Sequence, residues 1–358
     1  MACRPGRIGD RGIGIKQEWP IQPLPEHLEE EETLKTGDAP LRVSVIVRTY
    51  NEAAHLGRLV HGLNSQTVRP AEIVVVDSGS TDGTADLAGA LDCRVVHINK
   101  EEFSFGRALN RGCQAAGGDI LLIMSAHVYP VYDSYVEHML DALQRPGVAI
   151  AYGRQIGDHR TKFSESRVML RWFPSENIWD QGHPFSNNAS AAIWASTWAD
   201  HPYDESLTGL EDLAFAKRVI AAGKKVAYVA DAPIVHVHEE TWQTIRNRYR
   251  REAIAYTKIE PESGMSFATA IYLAAKNIAA DYVGAARSRQ LGPNLTSIPR
   301  FRFAQFIGAW EGFRIGDKAS RSLIERFYYP PDTEEKTGRP EPGSLVDYEA
   351  FELEETTK

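Results

Sequence analysis

Metal- and proton-handling side chains stand at the ends of apolar runs in this chain. His127 follows "ILLIMSA" (120–126), where a buried strand would emerge into solvent. His236 and His238, in "PIVHVHEE", follow a second apolar run. Residues two apart in a strand share a face, so both imidazoles can point one way. Neutral imidazole ligates Mn- or Zn-type ions, although a lone histidine is more often structural. Glu211 and Asp212, in "TGLEDLAFAKRV" (208–219), precede a helical pattern of Leu213, Ala216 and Ile220. They read either as an acidic helix start favoured by the dipole or as a general base and its neighbour.

Other polar groups lie at comparable points. Thr49, Tyr50, Asn51 and Glu52 end the run "VSVIV" and read as a ligand-binding tip or as a helix start capped by Asn51. Asp77 closes a valine run before Ser78; it suits an imide N–H of a pyrimidine base, or caps the turn Ser78-Gly79-Ser80. In "FSFGRALNRG" (103–112), Arg107 and Asn110 open a helix, a setting that suits phosphate or an ordinary cap with a solvated arginine. Trp172, Trp179, Trp194 and Trp198 fall between Gly153 and Pro202. Aromatic faces suit sugars as well as cores. Trp194 and Trp198 read as core, while Trp172 and Trp179, with Asn187 and Asn188, are candidates for the acceptor or sugar.

These groups need elements to hold them. Apolar runs at 43–47, 73–76, 94–98, 120–124 and 148–152 alternate with helical spacings such as Leu56, Leu59, Val60 and Leu63. The alternation predicts an α/β fold with a mostly parallel sheet flanked by helices. Ligands in such sheets bind beyond the carboxyl ends of the strands, so the tips named above should share one crevice. A long amphipathic helix is expected over 265–290, and another over 301–316. The domain reading is an N-terminal extension (1–40), a sheet domain (41–245), a C-terminal helical region (246–330) and a flexible acidic tail (331–358).

With 43% apolar and 25% charged residues, the chain reads as globular. A net charge of −8 argues against nucleic acid as a partner. Three scattered cysteines fit a reducing compartment. No run approaches the roughly 20 apolar residues of a membrane span. A cytoplasmic location follows, compatible with a peripheral position at the inner membrane.

In series, "VSVIVRTYNE", "EIVVVDSGSTDGT", "GGDILLIMSAHVYP" and "TGLEDLAFAKRVIAAGKKVAYV", followed by a late histidine, resemble the family 2 glycosyltransferases of the GT-A, Rossmann-like fold. "FSFGRALNRG" and "RFAQFIGAWEGFR" are similar to the rhamnosyltransferase-like branch. The resemblance implies inverting transfer of a hexosyl or deoxyhexosyl group from a nucleotide-diphosphate sugar to a hydroxyl acceptor, saccharide or lipid-linked, in surface-glycan synthesis. Thr49, Tyr50, Glu52, Asp77, Ser78, Arg107, Asn110, Ser125 and Ala126 match nucleotide-side positions. Asp212 matches the catalytic base, Glu211 its neighbour, and His236, with His238, the late histidine near metal or diphosphate.

The chain departs from the family where Asp-x-Asp is usual: it carries Ser125-Ala126-His127. Either His127 ligates a divalent cation, or the site neutralises diphosphate without one, using Arg107 and the "RNRYRRE" cluster (246–252). A carboxylate-poor set favours Mn2+ over Mg2+. The competing functions are a nucleotidyltransferase and a non-catalytic sugar-nucleotide-binding protein. The long helix suits dimerisation, packing on the sheet domain or contact with a membrane surface; its alanine-rich face and sparse cations argue against insertion.

Overall fold

The protein is described by a computed structural model, which covers residues 41–316, 343–349 and 351. The extension expected over 1–40 and most of the acidic tail lie outside the described residues. The first half runs β1 (Val43–Thr49), α1 (Ala53–Asn64), β2 (Glu72–Asp77), α2 (Thr84–Ala90), β3 (Arg94–His97), α3 (Phe105–Ala115), β4 (Ile120–Ser125), β5 (Val128–Pro130), α4 (Tyr135–Leu143) and β6 (Val148–Ile156). It continues with α5 (Phe163–Trp172), β7 (Ser190–Trp194), α6 (Ala195–Asp200), α7 (Glu211–Ala221) and β8 (Lys225–His236). The helices α8 (Trp242–Ile259), α9 (Phe267–Arg287), α10 (Leu291–Asn294) and α11 (Ser297–Ile315) follow.

Eight strands form one sheet in the order β3-β2-β1-β4-β7-β6-β8-β5. The β3-β2-β1-β4 half is parallel, as its unbroken apolar runs predict. The other half is mixed: β7 runs antiparallel to both β4 and β6, and β5 runs antiparallel to β8. The sheet is therefore less parallel than the sequence suggests. Leu56, Leu59 and Leu63 of α1 are buried with one face, and Ala108, Leu109 and Cys113 of α3 with the other. This covering on both sides is what lets β1 and β4 be apolar on both faces.

Direction and register bring the polar groups to one edge. β1, β2 and β4 all end there. β7, running the other way, starts there, with Ser190 opposite Met124. β8 arrives with His236 opposite Val128, directly after His127. Pro130 ends β5, the terminal strand of the sheet order, where a missing N–H is tolerated.

The C-terminal helices are built onto the sheet domain. α8 begins at Trp242, so the boundary expected at 245/246 falls inside a helix. A third core gathers Leu213 of α7 with Ala253 and Tyr256 of α8, Leu273 of α9 and Phe306 and Phe313 of α11. Gly308 and Gly312 let α11 approach α8 closely, because a Cβ at either would strike the carbonyl oxygen of Arg246 or Arg250. Fully buried Arg302 grips Asp281 through two bonds, at 2.7 and 3.0 Å. It also donates to Gln305 Oε1 and to the Ser164 carbonyl, while Ser164 Oγ donates to Asp281. The network ties α5, α9 and α11 together and leaves no charge of this pair unmatched.

Candidate active site

Asp212 stands at the first turn of α7. Leu210, just before it, holds φ at 54°, a left-handed conformation unusual for a bulky residue. Leu210, Asp212 and Leu213 all line the cavity at the start of α7. The Leu213 amide donates to Oδ1 at 2.8 Å and the Asn188 amide to Oδ2 at 3.2 Å. Desolvation, with the adjacent Glu211 charge adding to it, pushes the Asp212 pKa up to about 7. A carboxylate titrating near neutrality suits proton transfer at physiological pH.

Glu211 turns the other way. It is buried, 3.4 Å from Arg48 Nη1 and 3.5 Å from Asn188 Nδ2. Asn188 also accepts from the Tyr203 hydroxyl, so it braces both carboxylates rather than facing a sugar. Arg48, on β1, escaped the sequence reading because it looks like the polar end of a strand.

The three expected imidazoles converge. The ligand nitrogens of His127, His236 and His238 lie within 4.8 Å of one another. An oxygen acceptor meets each Nδ1: Glu52 at 2.8 Å for His127, Gln155 at 2.7 Å for His236 and Glu165 at 2.7 Å for His238. Each acceptor fixes the proton on Nδ1 and leaves Nε2 as the donor atom, the arrangement found around metal-bound histidine. Nε2 of His236 and Nε2 of His238 face each other at 2.9 Å. Two lone pairs that close require a proton or a cation between them. Burial, and then the neighbouring imidazoles, hold the His236 pKa well below its usual value, so that ring is neutral.

A cavity of about 260 Å³ joins the His236–His238 pair to Asp212, all three of which line it. His127 lies behind His236, its ring stacked at 5.1 Å, and borders a separate cavity of about 170 Å³ with His55, Arg58 and Arg160. Trp172 and Asn187 also line the larger cavity. Trp172 stacks on Phe185 at 4.5 Å. Trp179 does not line it; the ring packs on the core of the opposite sheet face under the Arg145 guanidinium, 3.6 Å away. Trp194 and Trp198 pack as core, as expected.

On the nucleotide side the outcome is divided. Tyr50 is 50% exposed, with Lys100 over its ring and bonded to its hydroxyl, and Gly79 lies against the same lysine. Asp77 Oδ2 is taken by the Gly79 and Ser80 amides, the turn-capping alternative. Oδ1 meets Thr49 Oγ1 at 3.4 Å. Thr49 and Ser78 are buried and bonded across the two strand tips, so their side chains build the tip. Ala126 is buried in the core and can offer only backbone, while Ser125 is half-buried at the edge.

Asn110 has no hydrogen-bonding capacity left. Its Oδ1 accepts from Trp198 Nε1 and the Tyr203 amide, and its Nδ2 donates to the Tyr203 carbonyl and to Glu205. Arg107 pairs with Glu205 at 2.7 Å. Both therefore anchor the 203–205 loop. Within the basic cluster, Arg246 pairs with Glu311, and Arg248 with Glu165 and Glu240.

Glu165 was missed altogether. It is 3% exposed, on the face of α5 that carries Val168, Met169 and Trp172. Burial alone would raise its pKa; the bond to His238 and the Arg248 charge overcome that and take it down to about 2. The signal was present as a carboxylate at i relative to apolar residues at i+3, i+4 and i+7.

The architecture is that of a GT-A protein. A mannosyltransferase, PcManGT from Pyrobaculum calidifontis, solved with GDP-Man and Mn2+, aligns over 82% of this chain and 89% of its own, with a TM-score of 0.54 at 18% identity. GalNAc-T7, solved with UDP, GalNAc and Mn2+, aligns over 84% of this chain and 60% of its own, with a TM-score of 0.51 at 15% identity. Residues 44–193 match the glycosyl transferase family 2 model. The O-antigen chain rhamnosyltransferase WbaN of Salmonella anatum is 26% identical over 218 residues, 58% of this chain and 69% of its own. The succinoglycan biosynthesis protein ExoA of Rhizobium meliloti is 28% identical over 205 residues, 51% of this chain and 59% of its own. The chain thus carries a family 2 glycosyl transferase domain over residues 44–193, and its wider similarity is to rhamnosyltransferases of O-antigen synthesis.

Proposed function

We propose that this glycosyltransferase moves a sugar from a nucleotide-diphosphate donor to a hydroxyl acceptor with inversion, Asp212 acting as general base. The observation that carries the reading is the single cavity between Asp212 and the His236–His238 pair. The acceptor oxygen forms its bond to the anomeric carbon while Asp212 takes its proton. On the opposite face the bond from that carbon to the diphosphate oxygen breaks. Asn188 and the Leu213 amide hold the Asp212 carboxyl in line. Tyr50 and Asp77, at the tips of β1 and β2, are the proposed base-binding groups.

His127, His236 and His238 fit a divalent cation, on the chemistry of their donor set: three imidazoles with ring nitrogens close together, each held at Nδ1 by an oxygen acceptor. Bound there, the ion supplies charge neutralisation for the departing diphosphate. Imidazole donors favour Mn2+ over Mg2+, and PcManGT and GalNAc-T7, which share the fold, were solved with Mn2+. The O-antigen and succinoglycan relatives support an acceptor in bacterial surface polysaccharide. A poised base inside the cavity favours catalysis over mere binding of a sugar nucleotide.

The test is release of nucleoside diphosphate by the purified protein from a panel of sugar nucleotides, with and without Mn2+. Turnover of one donor that drops at least a hundredfold in Asp212→Asn supports the reading. Release of pyrophosphate from a sugar phosphate and a nucleoside triphosphate would instead make the chain a nucleotidyltransferase.

A further inference from the structure

We propose that the outer face of α9–α11 docks on an anionic membrane surface, lying in the headgroup layer without crossing it. Twelve large apolar side chains are exposed among the described residues, and seven of them fall within 267–315. Phe267, Ile271, Tyr272 and Val283 lie on α9; Leu295 follows α10; Phe303 and Ile315 lie on α11. They belong to adjoining surfaces. Phe267 meets Trp310 edge-on at 5.0 Å at one end of the antiparallel α9–α11 pair, and Tyr282 donates to the Leu295 carbonyl at the other. Phe303, Ile307, Trp310 and Arg314 recur at helical spacing along α11, and Trp310 among them is the residue that meets Phe267.

The charges choose the occupant. The whole chain carries −8, yet residues 264–316 hold six basic and two acidic side chains. Both acids are engaged within the protein, Asp281 by buried Arg302 and Glu311 by Arg246. The exposed charges of this segment, Lys276, Arg287, Arg289, Arg300 and Arg314, are all positive. A second copy of the chain meeting this face across a two-fold axis would set like charges against like. Anionic lipid headgroups match the cations, while the apolar side chains enter the interface and the arginines snorkel. No described helix is long and apolar enough to cross a membrane, so the contact is interfacial.

Co-sedimentation of the full chain with vesicles tests this, using phosphatidylcholine alone and phosphatidylcholine with 30% phosphatidylglycerol at about 0.1 M salt. The protein is expected to pellet with the anionic vesicles and not with the neutral ones. Arg300→Gln with Arg314→Gln should weaken partitioning roughly 30-fold, about fivefold for each cation lost. Phe303→Glu with Val283→Glu should abolish recovery while nucleoside diphosphate release in solution is retained, which keeps misfolding apart from lost docking. Recovery that is absent, or equal on both vesicles and unmoved by these variants, overturns the proposal. A dimer in light scattering that dissociates in Phe303→Glu, without vesicle recovery, overturns it in favour of a second copy.

Discussion

Asp212→Asn separates catalysis from stability. Burial and the Glu211 charge raise the carboxyl's pKa from its ordinary 3.8 to about 7. At 1.36 kcal/mol per unit, ionised Asp212 costs the fold at most about 4 kcal/mol. The side chain opens onto a cavity, so solvent screening lowers this to about 2. The variant's amide nitrogen must also face the Asn188 N–H, at a cost of about 1 kcal/mol. A net gain of about 1 kcal/mol is expected at pH 8, measured by urea unfolding. The sign follows from the raised pKa: a protonated carboxyl is tolerated below about pH 4, and the cost grows from there to about pH 7. The stabilisation should therefore vanish or reverse at pH 5. Turnover should fall about 10²–10⁴-fold, and the acid limb of the wild-type kcat profile should sit near pH 7. Near-normal turnover removes Asp212 from the base role. A variant less stable at pH 8 than at pH 5, relative to wild type, refutes the desolvation argument.

Other outcomes follow from the same geometry. Glu52→Gln, which leaves His127 in place but weakens the acceptor at its Nδ1, should lower Mn2+ affinity about 10–100-fold by calorimetry. Arg302→Met strands the buried Asp281 carboxylate and should destabilise by about 3–5 kcal/mol in urea titration. Gly312→Ala presses a methyl into the Arg250 carbonyl and should cost about 1–3 kcal/mol by the same measurement.

The parallel half of the fold was legible because β1, β2 and β4 are unbroken apolar runs ending in polar tips. β7 was not: "SAAIW" is short and rich in small residues, and nothing local says it runs backwards. Its direction matters, since it brings Asn187 and Asn188 to the edge where Asp212 lies. The convergence of His127 with His236 and His238 could be read from strand ends, but their outer partners could not. Gln155 and Glu165 reach the imidazoles through tertiary packing, across 81 and 73 residues of chain. Asn110 misled for the opposite reason: a helix-start amide suits phosphate, and only the fold reveals that Trp198, Tyr203 and Glu205 saturate it.

The most direct measurement is pulsed electron paramagnetic resonance of Mn2+ bound to the wild-type protein and to His127→Ala, with a nucleoside diphosphate added to each. The account predicts nitrogen couplings from imidazole in the wild type, fewer in the variant, and phosphorus coupling from the diphosphate on the same ion. Mn2+ that couples to phosphorus but to no nitrogen would contradict it.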